Sequence, residues 1–238
     1  FFFDRDFDGR LAADENMLRH LTYLSLRDCV NITDDGIKGL GERCRKVETF
    51  IMRGCDKLTD KSLSWMSHPF EDNFPMVDSI RVLDISNCAL LSSDAVLEML
   101  PLCGVLEDLR VAGMAGVNDT FIHQMCLKCT TIQRVNLQKC IFITDAALCS
   151  MADYLWLEGL NISGCRRVGD EGIEVLAVAC NGIIDLEMKG VHRITARTIN
   201  AVSRCLKNLQ TLDIRDCHLV HESAVENLKT NLPHINLL

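Results

Sequence analysis

The chain has 238 residues, 48% of them apolar, with 13 cysteines and a formal net charge of −8. That apolar content is enough for the core of one elongated domain. The acidic balance argues against nucleic acid or an anionic membrane surface as partner, because both select clustered Lys and Arg. The sequence shows neither a bilayer-spanning apolar run nor a secretory signal.

Residues 1–20 read as an N-terminal linker or cap, in which Phe1, Phe2, Phe3 and Phe7 either cover the start of the main domain or pack on an upstream one. From Leu21 to the C-terminus one frame recurs: Leu21-x-x-Leu24-x-Leu26-x-x-Cys29-x-x-Ile32-Thr33-Asp34-x-Gly36-Ile37-x-x-Leu40. Its first position returns at Val47, Ile80, Leu106, Ile132, Leu157, Ile183 and Leu209, in steps of 26, 33, 26, 26, 25, 26 and 26 residues. A fixed period of this size marks a solenoid, whose units bury their apolar faces only by stacking on neighbours.

Each unit opens with a short alternation such as Leu24-Ser25-Leu26 or Leu160-Asn161-Ile162, which predicts a strand with one buried face. The apolar spacing then changes to three and four, at Ile37, Leu40 and Cys44 in one unit and Ile173, Leu176 and Cys180 in another. That is a helical stripe. Thr33-Asp34, Thr59-Asp60, Thr144-Asp145 and Gly169-Asp170 precede helices, where Thr and Asp accept bonds from free N–H groups and Asp favours the positive end. The predicted fold is therefore α/β: a right-handed curved arc of about eight strand-turn-helix units over 21–238, with a parallel sheet on its concave side. Neighbouring strands are expected about 4.8 Å apart. A ninth strand begins near Ile235. The long step places an extra loop at 67–75, where Pro69 and Pro75 bracket Phe70 and Phe74. Extra loops of this kind often carry function. The two phenylalanines either contact a partner or fold back on the second helix.

Six units place Cys at one frame position: Cys29, Cys55, Cys88, Cys140, Cys165 and Cys217, with Met114 and Val191 in the other two. This pattern, over the eight units from Leu21 to Leu232, resembles the cysteine-containing class of leucine-rich repeat. Prominent owners of that class are the F-box/leucine-rich-repeat proteins, substrate receptors of SCF-type ubiquitin ligases. Phe3-Asp4-Arg5-Asp6-Phe7-Asp8-Gly9-Arg10 is similar to the segment that joins the F-box to the first repeat in several of them. The 20 residues before Leu21 are too few for an F-box. Either the F-box, and with it the contact to the ligase adaptor, lies upstream of Phe1, or this relative has none. The same repeat class occurs in the nexin–dynein regulatory complex of cilia, so the resemblance also allows a scaffold role among axonemal proteins.

The frame accounts for most cysteines as buried, apolar, unbridged thiols; Cys44, Cys103, Cys129 and Cys180 share a second equivalent position near the helix end. Reduced thiols imply cytoplasm or nucleus, or the axoneme if the chain is a scaffold. Cys126-x-x-Cys129 lacks the second pair that zinc requires, and both residues fall on a helix. Cys217-His218 and His221-Glu222 have spacing that suits a metal, or are simply loop residues. No nucleophile elbow, phosphate loop or His-Glu zinc motif is present. Nothing calls for a cofactor, and the chain is expected not to be an enzyme.

Solenoids often bind on the strand face. Between the buried leucines the outward positions predict apolar surface early, at Tyr23, Ile51 and Val82, and cations at Arg27 and Arg53. Asp84 and Arg110 fall at matching heights on adjacent strands, as do Asp108 and Arg134, and such pairs can simply satisfy one another. Asp185, Glu187 and Asp213 form a late acidic cluster. The expected function is a protein-binding solenoid: the substrate-recognition part of a ubiquitin-ligase receptor, or alternatively a scaffold subunit of a large assembly.

Overall fold

The computed structural model describes residues 18–67 and 75–238. The Phe3–Arg10 segment and the loop residues Phe70 and Phe74 lie outside the described residues. The chain divides into two compact units that meet in sequence at Gly116 and Val117.

The first unit contains β1 (Tyr23–Ser25), α1 (Asp34–Gly41), β2 (Thr49–Ile51), α2 (Asp60–Ser67), β3 (Val82–Asp84), α3 (Ser93–Met99) and β4 (Asp108–Arg110). Its strands are parallel and in sequence order, with Leu24, Phe50, Leu83 and Leu109 in register. Those four side chains are fully buried, and such burial is worth about 2 kcal/mol per side chain. Before β3, a 3-10 turn at Met76–Ser79 returns the chain to the frame. Met76 and Val77 are buried there, and Ser79 Oγ donates to the Val47 carbonyl at 2.9 Å.

The second unit contains α4 (Asp119–Lys128), β5 (Arg134–Asn136), α5 (Asp145–Tyr154), β6 (Gly159–Asn161), α6 (Asp170–Ala179), β7 (Asp185–Glu187), α7 (Ala196–Cys205), β8 (Thr211–Asp213), α8 (Glu222–Asn231) and β9 (Asn236–Leu237). Here Val135, Leu160, Leu186, Leu212 and Leu237 are in register on parallel strands. Helices stack beside the strands in the same order.

Strands β1 to β8 are three residues long and β9 two, and β1 begins one residue before the Leu24-Ser25-Leu26 alternation. The ladder nonetheless runs on: Leu26 N–H donates to Ile51 O at 2.7 Å and Asp28 N–H to Arg53 O at 2.8 Å. It stops where each repeat turns through a left-handed residue, at Asp28, Gly54, Asn87, Gly113, Lys139, Gly164, Gly190 and Asp216. Glycine suits two of these in space as well as conformation. A Cβ on Gly54 would run into the Asp28 carboxylate, and one on Gly113 into the Asn87 amide.

Two ladders run between successive repeats. Helix-opening Asp residues do more than favour their own helix: each carboxylate holds the start of the next helix. Asp34 accepts from Thr59 N–H at 2.8 Å and Thr59 Oγ1 at 2.6 Å. Asp60 does the same with Ser92, Asp119 with Thr144 and Asp170 with Thr195, while Asp145 accepts from Gly169 N–H. By contrast, Thr33 makes no side-chain bond to its own helix.

The consensus thiols form the second ladder. All thirteen cysteines are unbridged, and eleven are buried. The consensus thiols are not simply small hydrophobes: Cys55 Sγ donates to Leu26 O at 3.0 Å. Cys88, Cys165 and Cys217 donate to Met52, Leu137 and Met188 carbonyls, each at 3.1 Å. A thiol at this position therefore adds a second hydrogen bond to a carbonyl of the preceding repeat that already accepts a backbone N–H, as Leu26 O does from Cys29 and Met52 O from Cys55.

Candidate functional site

On the strand face of the first unit, Tyr23, Ser25, Arg27, Ile51, Arg53, Asp84 and Arg110 line a cleft of about 350 Å³. Two residues beyond β3 and β4, Ser86 and Ala112, small and almost fully buried, occupy the frame positions equivalent to Arg27 and Arg53. Asp84 is 5% exposed, and its Oδ1 accepts from Ser86 N–H at 3.0 Å. Arg27 lies 3.6 Å from Asp28. Arg53 forms no ion pair among the described residues. Val82 is half-buried on β3, beside Thr49 and Asp108, and does not line the cleft.

The register expected for Asp84 and Arg110 is present, yet the guanidinium turns to its own strand. Arg110 Nη2 donates to Asp108 Oδ2 at 2.7 Å and Nε to Oδ1 at 3.1 Å. That hydrogen bond, against the cost of burial, holds Arg110 still more firmly protonated. The fixed fork leaves the cleft with three arginines, one deep carboxylate, an aromatic and an aliphatic side chain. Such a set can seat an apolar anchor and orient a carboxylate beside it.

The strand face of the second unit is largely satisfied from within. Arg134 Nη1 donates to Asp185 Oδ2 at 2.9 Å, and Nη2 lies 3.5 Å from Glu158. Asp213 is 3% exposed and bound by Arg215 through Nη2 at 2.6 Å and Nε at 2.9 Å. The Arg215 hydrogen bond holds the Asp213 carboxyl below its usual range. Glu187 accepts from Asn161 Nδ2 at 2.7 Å. Burial, then the charges of Asp213 and Asp185, push its carboxyl up, with Arg215 opposing. The acidic cluster is thus present on β7 and β8, with two of its three members held by arginines.

Alternation puts side chains on the strand face but does not reveal their local hydrogen bonds. Ser25, Asp84, Asn136, Asn161 and Asp213 share one frame position, and each accepts the N–H two residues on. The repeated Ser, Asp or Asn at that position signals such a local turn.

The CxxC thiols do not converge on a site: Cys126 is buried in α4, and Cys129 Sγ lies 3.6 Å from Thr131 Oγ1. Burial pushes the Cys126 thiol up to about 12. After β8, the Cys217 thiol points into the core, while His218 stacks on His192 with ring centroids 6.0 Å apart. Among the described residues, no group of three or more His, Cys, Asp or Glu is placed to hold a metal, and no helix is long and apolar enough to cross a membrane.

Repeats of this length, with strand, left-handed turn and helix stacked through Asp and Cys ladders, define a leucine-rich-repeat domain, a fold whose usual work is to present binding surfaces. A family model described as Leucine Rich repeat matches residues 18–41 and 155–177, one stretch in each unit. Antagonist of mitotic exit network protein 1 of Eremothecium gossypii is 28% identical over 91% of this chain and 53% of its own length. F-box/LRR-repeat protein 4 of Bos taurus is 24% identical over 66% of this chain and 26% of its own length. The chain therefore spans about half or less of the curated relatives it matches and resembles F-box/leucine-rich-repeat proteins in its repeats. In fold it is similar to a chain in the crystal structure of the yeast Rad7 and Elc1 complex, with a TM-score of 0.57 and 15% identity over 95% of this chain and 72% of that one.

Proposed function

We propose that the chain is the substrate-recognition domain of an F-box/leucine-rich-repeat ubiquitin-ligase receptor, with the strand face of its first unit docking a target protein. The observation that carries this reading is the convergence of Tyr23, Arg27, Ile51, Arg53, Asp84 and Arg110 on one cleft. Most polar groups of the second unit's strand face bind each other, whereas Arg53 awaits an acceptor. The receptor role is supported by the likeness to an F-box/LRR-repeat protein and by the fold shared with a protein crystallised in complex with Elc1. The names of these relatives give no support to an axonemal scaffold.

Affinity purification of the full-length protein, wild type and Arg53→Glu, with mass spectrometry of the bound proteins, tests both parts. Ligase adaptor and cullin subunits are expected with both forms, and a target protein only with the wild type. Absence of ligase subunits from both would overturn the receptor role. A full set of partners retained by Arg53→Glu would overturn the docking face.

A further inference from the structure

The second unit carries a second cationic feature on the edge where its strands turn into loops. The left-handed turn residues of four consecutive repeats there are Lys139, Gly164, Gly190 and Asp216. The two middle positions have no side chain, and this leaves a cleft of about 460 Å³. A Cβ on Gly164 would sit 3.4 Å from Lys139 Cγ, so glycine also gives the lysine stem its place.

The walls are cationic. Lys139, Arg166 and Lys189 face the cleft with His192, against the single carboxylate of Asp216. Lys189 Nζ lies 3.7 Å from Asp216 Oδ2, a loose pair in solvent. Lys139 and Arg166 form no ion pair among the described residues. Ser163 forms part of the wall at 5% exposure. Its N–H is bound to Asn161 Oδ1, and its hydroxyl makes no hydrogen bond among the described residues. In a chain with a net charge of −8, a group of cations that outnumbers its one carboxylate, beside a hydroxyl open to solvent, is a local reversal of sign, and it focuses field on an anion. The chain's overall charge repels a polyanion, so an isolated dianion fits better than a nucleic acid.

The flanks favour a peptide over a free ion. At the loop positions equivalent to Arg166 and Arg167, the preceding repeat exposes Ile141 and Phe142, and two repeats later the loop exposes Leu219. Inorganic phosphate has no use for those side chains, whereas residues beside a phosphorylated one do. We propose that this cleft binds a phosphoserine or phosphothreonine side chain presented by a protein segment. Lys139 and Arg166 would neutralise the phosphoryl oxygens, Ser163 Oγ would donate to one of them, and Ile141, Phe142 or Leu219 would hold the neighbours. A phosphate monoester carries close to two charges and three acceptor oxygens at neutral pH, which matches this donor set better than a single carboxylate does.

The test uses the whole chain, immobilised, and two nonapeptide libraries with random flanks, one with central phosphoserine and one with central serine. At physiological salt the phosphoserine library is expected to be retained about tenfold better, with apolar residues enriched beside the phosphoserine. The Lys139→Glu, Arg166→Glu variant should lose that preference while keeping the wild-type thermal melt. The neutral Lys139→Gln, Arg166→Gln variant gives the same readout if charge reversal disturbs folding. Equal retention of the two libraries would overturn the proposal, as would a preference unchanged in both variants. Displacement by inorganic phosphate as effective as displacement by the selected phosphopeptide would reduce the cleft to an ion site and overturn the peptide assignment. Tighter binding of a single-stranded oligonucleotide would overturn it too.

Discussion

Arg134 on β5 reaches Asp185 on β7 at 2.9 Å, over the top of the strand between them. The residue in register on β6 is Gly159, and a Cβ there would lie 2.9 Å from Arg134 Nη1 and 3.3 Å from its Cγ. Two strand spacings are about 9.6 Å, within reach of an arginine only if nothing stands in the way. The glycine is therefore part of the ion pair.

Gly159→Ala is expected to cost about 0.5 kcal/mol by urea denaturation, the scale of a half-exposed ion pair. In an Arg134→Ala background the same change should be neutral or slightly stabilising, since the clash is gone and alanine restricts the unfolded chain. Additive losses in the double variant would show that Gly159 does not act through Arg134.

Asp170 is the most heavily used carboxylate of the helix-start ladder. It accepts from Thr195 N–H and Oγ1 at 2.8 Å each and from Thr198 Oγ1 at 2.6 Å. Burial alone would raise its pKa, but the hydrogen bonds from Thr198 and Thr195 outweigh it, and the net shift is downward. A carboxyl lowered in the folded state contributes stability that is complete above its unfolded value of about 4 and is lost as pH falls through the folded value. Asp170→Ala is expected to cost about 2 kcal/mol at pH 7, because it leaves the buried Thr198 hydroxyl without an acceptor. The difference from wild type should shrink below pH 4. A difference that is constant with pH would show that the charge does not matter.

The strand, turn and helix order was legible because the leucine frame repeats with little drift, and Val47, Ile80 and Leu106 each precede a strand by two residues. The role of Asp34 and Asp170 was not, because a capping rule looks at one helix. The relevant signal was present in the 25-residue distance from Asp34 to Thr59, the partner being one repeat away. Asp84 and Asp213 were correctly placed on the strand face by alternation. Alternation does not report that Ser86 N–H and Arg215 already engage them, so the accessible part of the candidate site is smaller than the pattern implies. The glycine-opened cleft beside Lys139 depends on left-handed turns in four successive repeats, a geometry that hydrophobic periodicity does not encode.

Thiol chemistry provides a third test. Burial pushes the Cys88 thiol to about 11 and Cys165 to about 12, so these groups stay protonated and unreactive at neutral pH. Only Cys149 and Cys205 are partly exposed. An aromatic disulfide reagent at pH 8 should label those two in the native chain and all thirteen after unfolding. A thiol pKa raised in the folded state keeps its stabilising effect below the unfolded value of about 8.5 and loses it as pH rises towards the folded value. Stability should accordingly fall from about pH 9 upward. Rapid native labelling of Cys55 or Cys88 would contradict the thiol–carbonyl ladder.

The central claim is that a partner docks on the strand face of the first unit. A photo-crosslinking amino acid placed at Ile51 of the full-length protein tests it most directly, with a second placed at Trp65 on α2 as comparison. The Ile51 probe is predicted to capture one protein in cells, to lose it when Arg53 is changed to Glu, and to capture it more efficiently than the Trp65 probe. Capture of that protein from Trp65 but not from Ile51 would contradict the claim and move the docking site to the helices.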